Sequence, residues 1–386
     1  MIRCTSARVD LGAVQHNFQA LGAYLAAESA QNRAAGAGPV TAPGIIGVVK
    51  ANAYGHGAVR VARALVEAGA TWLAVADIEE GIELRDSGIR GRILVFGALS
   101  VSDLAGLFTH DLTPTLSSPA AARALASAAS ARGVRLPCHL KIDTGLNRLG
   151  FRFDNLRRSL PEVLAIPSLD IEGLSTHFAS ADDAEDPLFE SQRTRFESAR
   201  ETIRALGGEV RLMHAANSAA SLRDSRTWHD YIRPGLLLYG LVPPPLATTV
   251  ALIPAMTLTS RVVAVKGIRA GERIGYGGRH VAEAPMTIAV VPAGYADGLD
   301  RRLEGRGAAL VRGTRAPIVG AVSMDMLTVD VTDIDGVSTG DEVVFLGTQG
   351  EASWQTIDAR EMAAWIGTIP YEIVCRLGAR VERRYA

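Results

Sequence analysis

From residue 45 onward, short apolar runs alternate with stretches whose apolar positions recur at helical spacing. Runs at 45–50, 72–76, 92–96, 112–116, 136–141, 169–176, 210–214 and 231–239 read as buried strands. Amphipathic helices are predicted between most of them, over 78–87, 119–131 and 189–206 for example. Eight such β units predict a (β/α)8 TIM-like barrel, an α/β architecture. An open doubly wound sheet is the alternative, but no G-x-G-x-x-G turn follows the first of these strands. Upstream, 7–11 predicts a short strand, and the spacing of Leu11, Val14, Phe18, Leu21 and Leu25 predicts a helix. An Ala/Gly-rich segment over 31–44 reads as a flexible insert.

The pattern changes after Pro243-Pro244-Pro245, a linker signal. Short alternating strands with glycine turns follow at 257–265, 287–292, 308–311, 317–319, 326–331 and 342–346. Only 356–366 reads as helix. The chain therefore divides into a barrel over 11–243 and a mostly β domain over 244–386.

Composition excludes more than it identifies. A net charge of -1 and a pI of 6.7 give no electrostatic footprint for nucleic acid or an anionic membrane. Three scattered cysteines without a CxxC pair argue against a disulfide framework or a zinc site. Charge arrives too early for a signal peptide, and no uncharged apolar run approaches about 18 residues. A soluble, cytoplasmic protein is expected.

One count does point to chemistry. Of 40 basic residues only three are lysines, Lys50, Lys141 and Lys266. Arginine keeps its proton and forms neither an imine nor a carbamate, so the lysines mark places where arginine would not serve. Lys50 and Lys141 fall at the ends of predicted strands, where parallel α/β folds gather ligands. Burial there lowers a lysine's pKa and makes it a usable nucleophile. Lys266 sits in an alternating strand and reads as a solvated edge residue; a snorkelling role is the plain alternative for Lys50 as well.

The stretch Gly47-Val-Val-Lys50-Ala-Asn-Ala-Tyr54-Gly-His56-Gly57 closely resembles the pyridoxal-phosphate (PLP) lysine motif of the alanine racemases. The resemblance continues in order through Lys141-Ile-Asp-Thr-Gly-Leu-Asn-Arg148, Ser175-Thr-His177, Ala216-Asn217-Ser218 and Arg233-Pro-Gly235-Leu236. Arg273-Ile-Gly-Tyr276, Ala293-Gly-Tyr295, Ser323-Met324-Asp325 and Pro370-Tyr371 extend it to the C-terminus. It implies that Lys50 carries the cofactor and is one of two bases, Tyr276 being the other. Tyr54, Asn217, Ser218, Gly235, Leu236 and Tyr371 would bind the cofactor, mostly at its phosphate. Arg233 would face the ring nitrogen and His177 would pack on the ring. Arg148 would meet the phenolic oxygen and the substrate carboxylate, Met324 would donate an amide to that carboxylate, and Tyr295 would line the entrance. Lys141 would be carbamylated, residues 1–10 would join the β domain, and two subunits would pair head to tail with shared sites. Ser323 stands where cysteine is common, and Leu146-Asn147 where methionine is frequent; both spare the bonding groups.

The implied reaction is interconversion of L- and D-alanine, for peptidoglycan supply or alanine catabolism. A broad-specificity amino-acid racemase would use the same residues. A related PLP-dependent decarboxylase would place an acidic residue at the ring nitrogen, against Arg233. A non-catalytic PLP-binding module would lack the β domain that carries Tyr276.

Overall fold

The computed structural model describes residues 4–35, 41–97, 103–350 and 354–386. By contacts it divides into two units, one of residues 14–53 and 58–252, the other of residues through Ala13, 54–57 and 253–386. The N-terminal strand β1 (Ser6–Val9) belongs to the second of these.

The first unit is built on β2 (Gly44–Val48), β3 (Trp72–Val75), β4 (Arg92–Val95), β5 (Thr113–Leu116) and β6 (Leu136–Asp143). β7 (Phe151–Arg152) adds to the end of β6, and β8 (Leu169–Ser175), β9 (Leu212–His214) and β10 (Tyr231–Ile232) complete the set. Parallel pairing runs β10-β2-β3-β4-β5-β6-β8-β9. A bridge between Asn217 and Arg233, just past β9 and β10, brings the two ends of that order together. The expected eight-stranded barrel is therefore present and nearly closed.

Burial on both faces explains the near-continuous apolar runs; all four residues of β3 are buried. The helix Ala58–Glu67 turns Val61, Ala62 and Leu65 inward. Glycine at 47 permits this close packing, because a Cβ there would meet Leu65 at 3.1 Å and Leu73 at 3.3 Å.

Two expectations for this part of the chain change. The first helix runs from Leu11 to Ala34, so it consumes the start of the predicted insert; alanine is the strongest helix former, and the segment is rich in it. Residues 36–40 of that insert lie outside the described chain. The run 231–239 pairs only over β10 and then becomes a 3-10 helix, Leu236–Tyr239. Pro234 has no N–H to continue the ladder, and a fully buried apolar run looks alike in strand and helix.

The second unit carries β11 (Met256–Arg261), β12 (Ala264–Ile268), β13 (Arg273–Ile274), β14 (His280–Val281) and β15 (Met286–Val291). Then come β16 (Ala308–Val311), β17 (Thr314–Val319), β18 (Leu327–Asp330), β19 (Glu342–Gln349), β20 (Gln355–Ile357) and β21 (Glu382–Tyr385). Their order is β12-β15-β18-β17-β16-β19-β11-β1-β21, with β1 antiparallel to β11 and parallel to β21. The predicted strand 257–265 is two strands, and Lys266 lies on β12 at the end of the order. The predicted helix at 356–366 begins only at Ala359, where Asp358 accepts the Glu361 N–H at 2.8 Å. A second late helix, Pro370–Cys375, was not legible as one. No described helix is long and apolar enough to cross a membrane.

Candidate active site

Lys50 follows β2 and opens a turn of unusual hand. Ala51, Asn52, Ala53 and Tyr54 all have φ of 53°, four successive non-glycine residues in the left-handed region. Each costs about 1–2 kcal/mol relative to a right-handed turn, so the conformation persists only where other bonds hold it. Val49 N–H reaches Ala74 O at 2.9 Å, Ala53 N–H returns to Val49 O at 2.8 Å, and Asn52 Oδ1 accepts the Ala58 N–H at 2.8 Å.

Arg233 is buried in a well of neutral acceptors. Its Nη1 donates to His214 O at 2.5 Å and to His214 Nδ1 at 2.8 Å. Its Nη2 donates to Thr176 O at 2.7 Å, Ala215 O at 3.0 Å and His177 Nδ1 at 3.3 Å. Nε–H enters none of the described bonds. Burial draws the guanidinium down to about 9, so it remains a cation at neutral pH.

Arginine's obligate donation fixes protons further along. Burial holds His214 and His139 below the ordinary imidazole range, so both are neutral. His214 must accept at Nδ1 and therefore carries its proton on Nε2, which donates to His139 Nδ1 at 2.8 Å. His139 then carries its proton on Nε2, facing Glu172 Oε1 at 3.8 Å, an electrostatic contact too long for a hydrogen bond. Burial pushes the Glu172 carboxyl up, but His139 and Arg92 outweigh it and hold it at about 2. A polarised chain thus runs through the barrel from a carboxylate to Arg233.

Lys141 stands on β6 among cations. Burial, Arg148 and Arg233 bring its ammonium down to about 8, with Lys50 adding to the effect and Asp143 opposing it. Arg148 is exposed. Asp143 Oδ1 shapes the intervening turn by accepting the Gly145 and Asn147 N–H groups, both at 3.0 Å. His177 is neutral, its pKa pulled far down by burial and then by Arg233.

After β9, Asn217 is the N-cap of the helix Ser218–Arg223 and accepts the Ala220 N–H at 3.0 Å. The cap is Asn217, and Ser218 is the first helical residue. Ser218 Oγ instead accepts the Gly235 N–H at 2.9 Å, tying the β9 loop to the turn that leads into Leu236. Hydroxyl and loop amides in one place are the donor set that phosphate binding uses.

The second unit holds the remaining candidates. Tyr276 is 77% exposed and lines a groove of about 370 Å³ together with Gly275, Val290, Ala321, Ser323 and Met326 among others. Tyr295 is half-exposed, and its N–H donates to Ser323 O at 3.0 Å. That loop passes so close to Gly294 that a Cβ there would lie 2.3 Å from Ser323 O. Arg380 pins the loop by donating to Met324 O at 3.0 Å and to Asp325 and Asp297. Tyr54 and Tyr371 pack with ring centres 6.0 Å apart, and burial raises the Tyr54 phenol above its ordinary range.

The barrel unit therefore groups Lys50, Lys141, Arg148, His177, Ser218, Arg233 and Gly235, and the second unit carries Tyr54, Tyr276, Tyr295, Met324 and Tyr371. Sequence reasoning missed His139, His214 and Glu172. The signal for His139 was available: it lies two residues before Lys141 on one strand, hence on the same face. The donor set fits PLP, with a strand-end lysine, a hydroxyl-and-amide loop pair, and a buried guanidinium that keeps one N–H for an acceptor. Among the described residues no His/Cys/Asp/Glu group could hold a metal ion.

Comparison with known proteins shows the family. Residues 9–243 match the alanine racemase N-terminal domain and 255–385 its C-terminal domain. A curated alanine racemase from Sorangium cellulosum is 42% identical over 100% of this chain and 99% of its own length. One from Syntrophobacter fumaroxidans is 41% identical over 96% of this chain and 94% of its own. The crystal structure of the alanine racemase from D-cycloserine-producing Streptomyces lavendulae superposes with a TM-score of 0.91 at 36% identity, covering 100% of this chain and 98% of that one.

Proposed function

The chain belongs to the alanine racemase family, and we infer that it interconverts L- and D-alanine using PLP, with Lys50 and Tyr276 as its two bases. The observation that carries the reading is the Arg233 well. A guanidinium surrounded only by neutral acceptors donates a hydrogen bond and keeps its proton, so it leaves a pyridine nitrogen unprotonated. That favours proton exchange at Cα over transamination, and it disfavours the decarboxylase alternative, which needs an acid there.

PLP, when bound, withdraws electrons from the substrate's Cα–H bond and acidifies it. The chain's own groups do the rest. Lys50 holds the cofactor through Nζ and exchanges the Cα proton on one face. Tyr276 exchanges it on the other, and racemisation requires both faces. Ser218, the Gly235 and Leu236 amides, Asn217, Tyr54 and Tyr371 fix the cofactor, and His177 packs against its ring. Arg148 and the Met324 amide orient the substrate carboxylate, while Tyr295 narrows the entrance. L-Alanine should lose its optical rotation completely with no CO2 released. Release of CO2, or a steady preference for another amino acid, would move the protein to the decarboxylase or the broad-specificity reading.

Lys141 is proposed to be a carbamate. A neutral amine takes up CO2 and releases a proton, and the resulting anion would sit well beside Lys50, Arg148 and Arg233. Because the ammonium titrates near 8, uptake should quicken as pH rises through that value. Protein kept in 13C-bicarbonate at pH 8 should show a carbamate resonance that Lys141→Ala lacks; identical spectra would refute it.

The site is further proposed to be shared in a homodimer. Tyr276, Met324, Tyr295 and Ile369 are exposed on the second unit, and a partner copy's barrel would cover them.

A further inference from the structure

Glu80 lies in the first turn of the helix Ile78–Asp86, after β3, in a position the family reading does not use. Its two carboxylate oxygens go to two different strand ends. Oε1 accepts the Ala51 N–H at 2.6 Å, and Oε2 accepts the Ala76 N–H at 2.7 Å. Among the described residues no cation is paired with it. The carboxylate is spent on main chain, at short charge-assisted distances.

Ala51 is the residue after Lys50 and the first of the four left-handed residues. Its N–H belongs to the peptide that joins it to Lys50, so the bond to Glu80 fixes that peptide plane and with it the exit direction of the lysine side chain. Two further bonds act later in the turn, at Ala53 and through Asn52. The bond from Glu80 holds the Lys50–Ala51 peptide itself, two residues past the Val49 N–H to Ala74 O bond that joins this segment to β3. We propose that Glu80 is a positioning residue for Lys50, a carboxylate clamp that holds the left-handed turn open and aims Nζ. The proposal rests on Lys50 being the cofactor lysine.

The competing account is that Glu80 merely stabilises its helix. Asp77 separates the two, because it caps the same helix by accepting the Glu80 N–H at 2.9 Å and touches neither strand end. Apoprotein of the wild type, Glu80→Ala, Glu80→Gln and Asp77→Ala should be compared in three ways: amide hydrogen exchange over 49–54, the rate of covalent capture of added PLP with borohydride and peptide mapping, and kcat with KM for alanine. Glu80→Ala should speed exchange over 49–54, slow capture on Lys50, and lower kcat about 10- to 100-fold with KM within about threefold. Glu80→Gln keeps one acceptor oxygen and should fall between. Asp77→Ala should lower the melting temperature while leaving capture and kcat near wild type.

Unchanged exchange and capture in Glu80→Ala would overturn the clamp, as would losses of the same size in Asp77→Ala. Wild-type capture on Lys141 or Lys266 would overturn the assignment of Lys50 and the clamp with it. Faster exchange over 49–54 with capture still on Lys50, but slowed, is the supporting result.

Discussion

Lys50→Ala should abolish racemisation, lowering the rate by more than about 10^4-fold, because one substitution removes both a covalent tether and an acid/base group. The purified variant should lack the yellow colour of the wild type, and borohydride should trap no cofactor on protein. The structure supplies a real competitor for this role. Lys141 stands nearby in charge terms, and its ammonium has been drawn down to about 8, so a minor fraction is free amine at neutral pH. Arg148, Arg233 and Lys50 act on it, however, and a carbamate anion would be attracted to these cations, whereas an imine would not. Lys50 leaves the end of β2 on a strained turn, the placement that aims a nucleophile from a barrel. An adduct on Lys141 in wild-type protein would reverse the two assignments.

Arg233→Glu should be the second large loss, and its signature should be a change of reaction as well as of rate. The well presents Thr176 O, His214 O, Ala215 O and two imidazole nitrogens, all acceptors. A carboxylate placed among them is repelled and desolvated, so it takes up a proton to become a donor. It would then offer a proton to the cofactor's ring nitrogen, strengthening the electron withdrawal that PLP supplies. Racemisation should fall about 10²-fold or more and pyruvate release from side transamination should rise. Orphaned acceptors cost about 1–3 kcal/mol each, so the variant should also melt earlier. Parental racemisation with no pyruvate would show that Arg233 does not govern the ring.

Much of this was legible without coordinates, for reasons that differ by element. Lys50 and Lys141 stood out because arginine-for-lysine bias isolates the places where arginine would not serve, whereas Arg148 came only from the resemblance to the alanine racemases. The barrel was legible because fully buried strands of β3's kind read as apolar runs. Its last strand was misread because burial alone does not separate a strand from the 3-10 turn at Leu236–Tyr239. The left-handed turn after Lys50 was invisible, since Ala51 and Ala53 are ordinary helix formers whose local preference is overridden by Glu80, Asn52 and the β2–β3 pairing. The His214–His139–Glu172 chain was hidden because its members lie on β9, β6 and β8, strands far apart in sequence that only their side-by-side pairing brings into line.

The central claim is that each site needs Lys50 from one copy and Tyr276 from another, one base for each face of Cα. It is tested most directly by mixing two homodimers, Lys50→Ala and Tyr276→Ala, under conditions where subunit exchange is verified. Each parent should be inactive. A heterodimer then holds one site missing both bases and one site with both intact. Random exchange makes about half of the dimers hetero, so alanine racemisation should recover to roughly a quarter of the wild-type rate. Activity in either parent, or no recovery after full exchange, would contradict the account.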